Sequence, residues 1–235
     1  MALSANVNAA YNNLSAPGGD TSLWGGVARG NLTIMDPGIN VEAKAGGDWL
    51  NLPKSGGSNT NLWDFGGDAY WRDRAGDFGG SLEEIRLPDA HASSLSYGLF
   101  GEAFLWRSFT LRLKAGKLTN DVNAWYGSAG LLAYPVRSIA LGVGFDYARV
   151  QDGGTELKAA NVSAEYLPVP NIPVSVSLGY NYEKVGQTNG HIDVLTAGIT
   201  VYLGGEGVDG SLRSRQRNGA VTWDGAPASL VGLTF

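Results

Sequence analysis

Residues 172–182 read IPVSVSLGYNY, and this stretch decides the fold. Val176 and Leu178 share one parity with the tyrosines, whereas Ser175 and Ser177 share the other. Because successive side chains of a β-strand point to opposite faces, the stretch predicts a strand with one apolar face and one polar face. The fold and the function both depend on which of the two faces meets water.

The same alternation recurs in twelve segments. Most of them are about twice as long as an ordinary globular strand. The fifth segment, DFGGSLEEIRL, is the weakest, because Glu83 and Glu84 are adjacent, and a short helical turn is the competing prediction there. The segments lie near residues 2–12, 24–35, 38–47, 61–72, 77–87, 93–106, 108–119, 123–135, 138–150, 155–167, 172–185 and 190–203.

The connections between the segments alternate in length. Tight turns such as DPG (36–38) and PVRS (135–138) alternate with longer loops such as VGQTNG (185–190). This predicts an all-β, up-and-down antiparallel β-barrel with two unlike rims, built from residues 1–203 with about twelve strands. Residues 204–235 form either a C-terminal tail or an additional hairpin, which would give fourteen strands.

A soluble β-sandwich would also show alternating apolar and polar residues along its strands. Composition favours a transmembrane barrel over this alternative. Charged residues make up 17% of the chain, against roughly 25% in an ordinary soluble domain. The polar parity is mostly Ser, Gly, Asn and Thr, and aromatic residues such as Trp71, Trp106, Trp125 and Tyr134 gather near segment ends, as in interfacial girdles. We therefore expect the apolar face to meet lipid and the polar face to line the lumen.

The chain resembles the Gram-negative outer-membrane β-barrels of the porin-like family. The segments that carry the resemblance are the hairpin ANVSAEYLPVPNIPVSVSLGYNYEKV (160–185) and the C-terminal SLVGLTF, whose last residue, Phe235, is similar to the insertion signal of such barrels. The resemblance implies a location in the bacterial outer membrane, with a signal peptide already removed. The departure from the family pattern is the 32 residues that follow Leu203.

Catalytic and cofactor chemistry has little support in the sequence. The chain has no Cys and only two His, His91 and His191, each close to an aspartate in a predicted loop. Such a pair could serve a surface hydrolase, although solvated loop histidines are the simpler interpretation. No cofactor or metal is implied, and a net charge of −5 argues against a nucleic-acid partner.

Inward parity predicts a charged lumen. A narrow channel for passive diffusion of small polar solutes or ions is the favoured function. The alternatives are a plugged structural barrel that binds a partner through its loops or tail, and the surface hydrolase. The expected partners are outer-membrane lipid and small solutes, with a cell-wall or protein partner possible for the tail. The predicted pore-lining residues are Arg29, Glu42, Lys44, Glu102, Arg112, Lys114, Asp146, Glu165, Asn181 and Glu183.

One ion pair follows from hairpin arithmetic. If GEAFLWRSFTLRLKAG turns around Arg107, residues that face each other have numbers adding to 214. Glu102 then faces Arg112, and both carry lumen parity. The sequence predicts a charge-assisted pair between them inside the barrel.

Overall fold

A computed structural model describes most of the chain. The described residues are 2–15, 23–35, 38–51, 60–151, 154–169, 172–186, 191–203 and 210–219.

The described residues form long β-strands, one 3₁₀ turn at Pro88–Ala90 and one short α-helix. The elements are β1 (Ala2–Ser15), β2 (Leu23–Met35), β3 (Gly38–Asn51), β4 (Thr60–Arg72), β5 (Gly76–Leu87), β6 (Ala92–Leu105), β7 (Phe109–Asn120), β8 (Ala124–Val136), β9 (Ile139–Val150), β10 (Glu156–Tyr166), β11 (Val174–Val185), β12 (His191–Leu203) and α1 (Leu212–Asn218).

The strands form a closed barrel. Each strand pairs antiparallel with its neighbours in the chain, and β1 closes the ring by pairing with β12, from Ala5 opposite Leu203 to Ser15 opposite Asp193. Closure pairs the backbone groups of every strand and leaves no free sheet edge. The predicted all-β, up-and-down antiparallel architecture is confirmed.

Segment 77–87 is a strand, so the competing prediction of a helical turn is wrong within it. Glu83 points into the barrel and is buried, whereas Glu84 points outward and pairs with Arg86 near the end of β5. The strict two-residue period of the strand separates the two adjacent carboxylates onto opposite faces. The helical geometry comes immediately afterwards, in the 3₁₀ turn at Pro88–Ala90.

The turn between β4 and β5 shows how one rim is kept short. The Oδ1 atom of Asp73 accepts hydrogen bonds from the backbone N–H groups of Ala75 (2.7 Å) and Gly76 (3.2 Å), an arrangement that closes the chain locally. Gly76 has a φ of 159°, and a Cβ atom there would lie 1.9 Å from the carbonyl oxygen of Glu102. Only glycine fits this position without moving the neighbouring strand.

The apolar parity lies on the outside of the barrel. Val162, Val176, Leu178 and Ile199 expose 44–63% of their surface, whereas a soluble sandwich would bury them. The aromatic residues Trp71, Trp106 and Trp125 are also exposed. The outer wall is therefore an apolar surface of the kind that meets lipid.

Tyr134 does not belong to the outer aromatic girdle in which the sequence placed it. Its parity in β8 is that of Ala124 and Tyr126, which face inward, and its side chain is buried.

No helix among the described residues is long and apolar enough to cross a membrane.

Candidate pore and its helix-filled mouth

The barrel interior carries the charged side chains that the sequence assigned to the lumen. Arg29 lies in β2, but its side chain falls outside the described part of the structure. The other nine side chains are buried or half-buried on the inward parity of their strands: Glu42, Lys44, Glu102, Arg112, Lys114, Asp146, Glu165, Asn181 and Glu183.

The Glu102–Arg112 pair forms as the hairpin arithmetic predicted. The two residues are directly opposed in the β6–β7 register, and Nε of Arg112 lies 2.6 Å from Oε1 of Glu102. Their side chains are only 14% and 2% exposed. A second inward pair, between Lys44 and Asp68, links β3 to β4.

We expect Glu102→Gln to lower the free energy of unfolding by about 3 kcal/mol, because it leaves the buried Arg112 guanidinium without its directly opposed carboxylate. Removing one partner of a buried ion pair usually costs about 3–5 kcal/mol. We expect the lower end of this range because Asp77, which lies opposite Glu102 in the β5–β6 register, remains as a second carboxylate. Urea unfolding of the refolded barrel measures the loss. The double variant Glu102→Gln/Arg112→Gln should lose less than the single one; an equal or larger loss would show that the unpaired guanidinium is not the cause of the destabilisation.

Four buried inward acids were not singled out from the sequence. They are Asp64, Asp68, Asp77 and Glu83, all buried and all on β4 or β5. The signal was present, since Asp64 and Asp68 share parity in NLWDFGGDAY. The adjacent glutamates made segment 77–87 doubtful, and its inward face was therefore not counted.

The lumen carries an excess of acid. Among the described wall residues, seven carboxylates are buried against a single buried lysine, Lys114. Lys44, Arg72 and Arg112 add half-buried positive charges that pair with some of these acids. The buried carboxylates are Glu42, Asp64, Asp68, Asp77, Glu83, Glu102 and Glu183.

The inward glycines leave less open space than their sequence positions suggested. A Cβ atom at Gly98 would lie 2.9 Å from the Tyr126 hydroxyl, and one at Gly144 would lie 2.6 Å from Oδ1 of Asn161. Larger side chains from neighbouring strands thus occupy the space above these glycines. At Gly179 the surroundings are more open, since the nearest atom is 3.7 Å away.

An apolar cluster lies inside the barrel beneath the longer loops. It joins inward side chains of β4 to β10, and no sequence argument predicted it. Its signal was a change along the inward parity, from polar residues at mid-strand to Leu and Ile near the long-loop end. We call it the apolar collar; its buried members are Leu62, Ile85, Leu87, Ala92, Leu118, Val122, Ala124, Tyr126, Ala148 and Leu157.

Helix α1 lies inside the opposite, tight-turn end. Ser211 caps it by accepting a hydrogen bond from the backbone N–H of Ser214 (3.1 Å). Leu212 is completely buried, in a cluster with Tyr134, Leu167 and Tyr202. Of the predicted tail 204–235, the described residues 210–219 therefore include a helix docked against the inner wall.

Polar contacts tie α1 to three wall strands. Gln216 accepts a hydrogen bond from the Tyr134 hydroxyl (2.8 Å) and donates one to Glu165 (2.7 Å). Glu165 also accepts from the Tyr202 hydroxyl (2.6 Å). This network joins the helix to β8, β10 and β12.

Arginines extend the attachment around the rim. Arg217 donates to the carbonyl oxygens of Trp106 (3.2 Å) and Phe109 (2.5 Å) in the β6–β7 turn. Arg72 of β4 donates to the carbonyl oxygen of Gly219 (2.6 Å). Contacts on both sides of the ring place α1 across the tight-turn mouth.

The two histidines lie apart from each other at the long-loop rim. His91 is exposed and follows the 3₁₀ turn with a φ of 53°. Nε2 of His191 lies 3.3 Å from Oδ2 of Asp193, and its ring stacks on Tyr182. Among the described residues, no group of three or more His, Asp or Glu side chains is placed to hold a metal ion.

Comparisons with known proteins identify the fold through structure rather than sequence. No family model matches the chain, and no curated protein matches it. An outer membrane channel from Pseudomonas putida F1 superposes with a TM-score of 0.69 at 10% identity, over 86% of this chain and 97% of the channel.

Two further solved structures share the architecture. The KdgM porin, in complex with disordered oligogalacturonate, gives a TM-score of 0.58 at 9% identity over 84% of this chain and 99% of the porin. The translocator domain of the autotransporter NalP from Neisseria meningitidis gives 0.58 at 13% identity, over 86% of this chain and 88% of the domain. The predicted resemblance is thus confirmed at the level of the fold, which is that of the outer-membrane β-barrels.

Proposed function

We propose that this protein is an outer-membrane channel through which small polar solutes diffuse passively, with a preference for cations. The observation that carries the proposal is the acid excess of the lumen, where seven buried wall carboxylates outnumber the four described inward bases of the wall, Lys44, Arg72, Arg112 and Lys114, together with the buried Arg215 of α1. Charged side chains lining a narrow aqueous path select permeant ions by sign.

The two ends of the barrel would restrict passage in different ways. The apolar collar would oppose the passage of hydrated ions at the long-loop end, because its side chains offer them no polar contacts. Helix α1 lies across the tight-turn end and is held by side-chain contacts to β4, β8, β10 and β12. We therefore propose a narrow, gated path in place of an open pore.

The wall of this channel would be complete with twelve strands. Because β1 and β12 are already paired over eleven residue positions, a further hairpin would have to break that seam. Residues 204–235 would then supply an internal helix and its flanking segments, not a thirteenth and fourteenth strand.

A plugged structural barrel is the second candidate function, and helix α1 is the observation that favours it. The buried Leu212 and the Gln216–Glu165 contact would suit a permanent plug as well as a gate. In that case the barrel would conduct neither with α1 docked nor with its contacts weakened. Conductance measurements therefore separate the two candidates.

The cation preference can be tested on adjacent residues. We expect Glu83→Gln to shift the zero-current potential under a KCl gradient toward anions, because it removes a buried inward charge. Glu84→Gln is the matched control, since Glu84 points outward and pairs with Arg86. An anion-preferring unmodified protein, or equal shifts in the two variants, would contradict the proposal.

A further inference from the structure

Within the described strands, outward-facing charged residues lie at one end of the wall. Among the described strand residues, every charged side chain on the outer face lies in the part of its strand next to the long loops. At the tight-turn end, the outward parity of the described strands carries apolar and aromatic side chains instead. The outward charged residues are Glu84, Arg86, Lys117, Arg149, Glu156, Lys158, Lys184 and Asp193.

Four of these residues form what we call the basic belt: Lys117, Arg149, Lys158 and Lys184. The strand registers make them neighbours across β7 to β11. Lys117 and Arg149 flank Trp125 from opposite sides, and Lys158 is directly opposite Lys184. With neighbouring strands about 4.8 Å apart, the belt runs for roughly 20 Å around the barrel.

Local contacts keep the belt at the outer surface. The Lys117 ammonium lies 5.4 Å from the centre of the Trp125 ring, and the Lys158 ammonium lies 5.9 Å from that of Tyr147. Lys158 also pairs with Glu156 at 2.9 Å. Long basic side chains in this setting rest their stems on aromatic surface while the charged groups reach outward.

We infer that the basic belt binds the phosphate groups of anionic lipid headgroups in the leaflet that surrounds the long-loop end. The four belt charges face two acids on the same strip of wall, Glu156 and Asp193, which leaves a formal charge of +2 complementary to phosphate. Directly below the belt the outer wall is apolar, with Phe145 and Val162 half exposed. A ligand with phosphate above and acyl chains below fits this arrangement, and a soluble anion would use only the upper part.

The test titrates the refolded, full-length protein in neutral detergent with diphosphoryl lipid A and counts bound lipid by native mass spectrometry. Each basic residue near an anionic surface contributes about fivefold in affinity. The variant Lys117→Gln/Arg149→Gln/Lys184→Gln should therefore bind about a hundredfold more weakly. The matched control is Arg74→Gln/Arg107→Gln/Arg137→Gln, which removes the same charge from exposed turns at the other rim and should bind normally.

A second variant keeps the inference testable if the belt triple does not refold. Glu156→Gln removes the acid that pairs with Lys158 and should tighten lipid binding about fivefold. Unchanged affinity in the belt triple, equal losses in both triples, or no gain in Glu156→Gln would each overturn the inference.

Discussion

Leu212→Asp is expected to raise the ion conductance of the barrel many-fold. Leu212, the first residue of α1, is completely buried against Tyr134, Leu167 and Tyr202 on the inside of the barrel. Truncating a buried leucine to alanine alone costs about 2–5 kcal/mol, and burying a carboxylate in its place costs more. The docking equilibrium of α1 should shift by about thirtyfold or more, which opens the tight-turn mouth. Single-channel recording in planar bilayers measures the change.

The control for this prediction adds the same charge elsewhere on the helix. Asn218 lies at the exposed end of α1, and its side chain bonds to Ser214 within the helix. Asn218→Asp should therefore leave the conductance close to that of the unmodified protein. Equal conductance in all three proteins would show that α1 does not gate the path, and would favour the plugged structural barrel if none of them conducts.

Leu178→Arg is expected to prevent stable folding into lipid, whereas Ser177→Arg should be tolerated. Leu178 is 63% exposed on the outer face, near the middle of β11. An arginine at the bilayer midplane of a barrel costs about 2–4 kcal/mol. An arginine at position 177 would point into the lumen, directly opposite Glu165 in the register. We expect its effect to stay below about 1 kcal/mol.

Refolding into phosphatidylcholine vesicles, followed by urea titration, compares the two variants. The two positions are adjacent in β11 and receive the same side chain, so the charge and the size of the introduced residue are matched. If both variants fold equally well, or if Ser177→Arg is the more damaged, the outer face of the barrel has been assigned to the wrong parity.

The sequence carried much of the fold because a β-strand has a period of two. The alternation of Val176 and Ser175 predicts which side of β11 faces outward without information from any other strand. The position of the turn alone predicts that Glu102 lies opposite Arg112. The same local rule fails where two like residues are adjacent. Glu83 and Glu84 needed the neighbouring strands to show which of them is inside.

Features that depend on distant contacts could not be read from local patterns. The docking of α1 brings Leu212 against Tyr134, about a third of the chain away, and Gln216 against Glu165. Space in the lumen also depends on partners, since Tyr126 fills the place that Gly98 leaves open. Each of these contacts joins elements that are not adjacent in the chain, so no local sequence pattern encodes it.

The most direct measurement is the current carried by the purified, refolded protein in a planar lipid bilayer, with heat-unfolded protein as the blank. The proposed channel predicts discrete conductance steps that favour potassium over chloride at low salt and grow larger in Leu212→Asp. A bilayer that stays silent with both the unmodified protein and Leu212→Asp, although both have folded into it, would contradict the channel function.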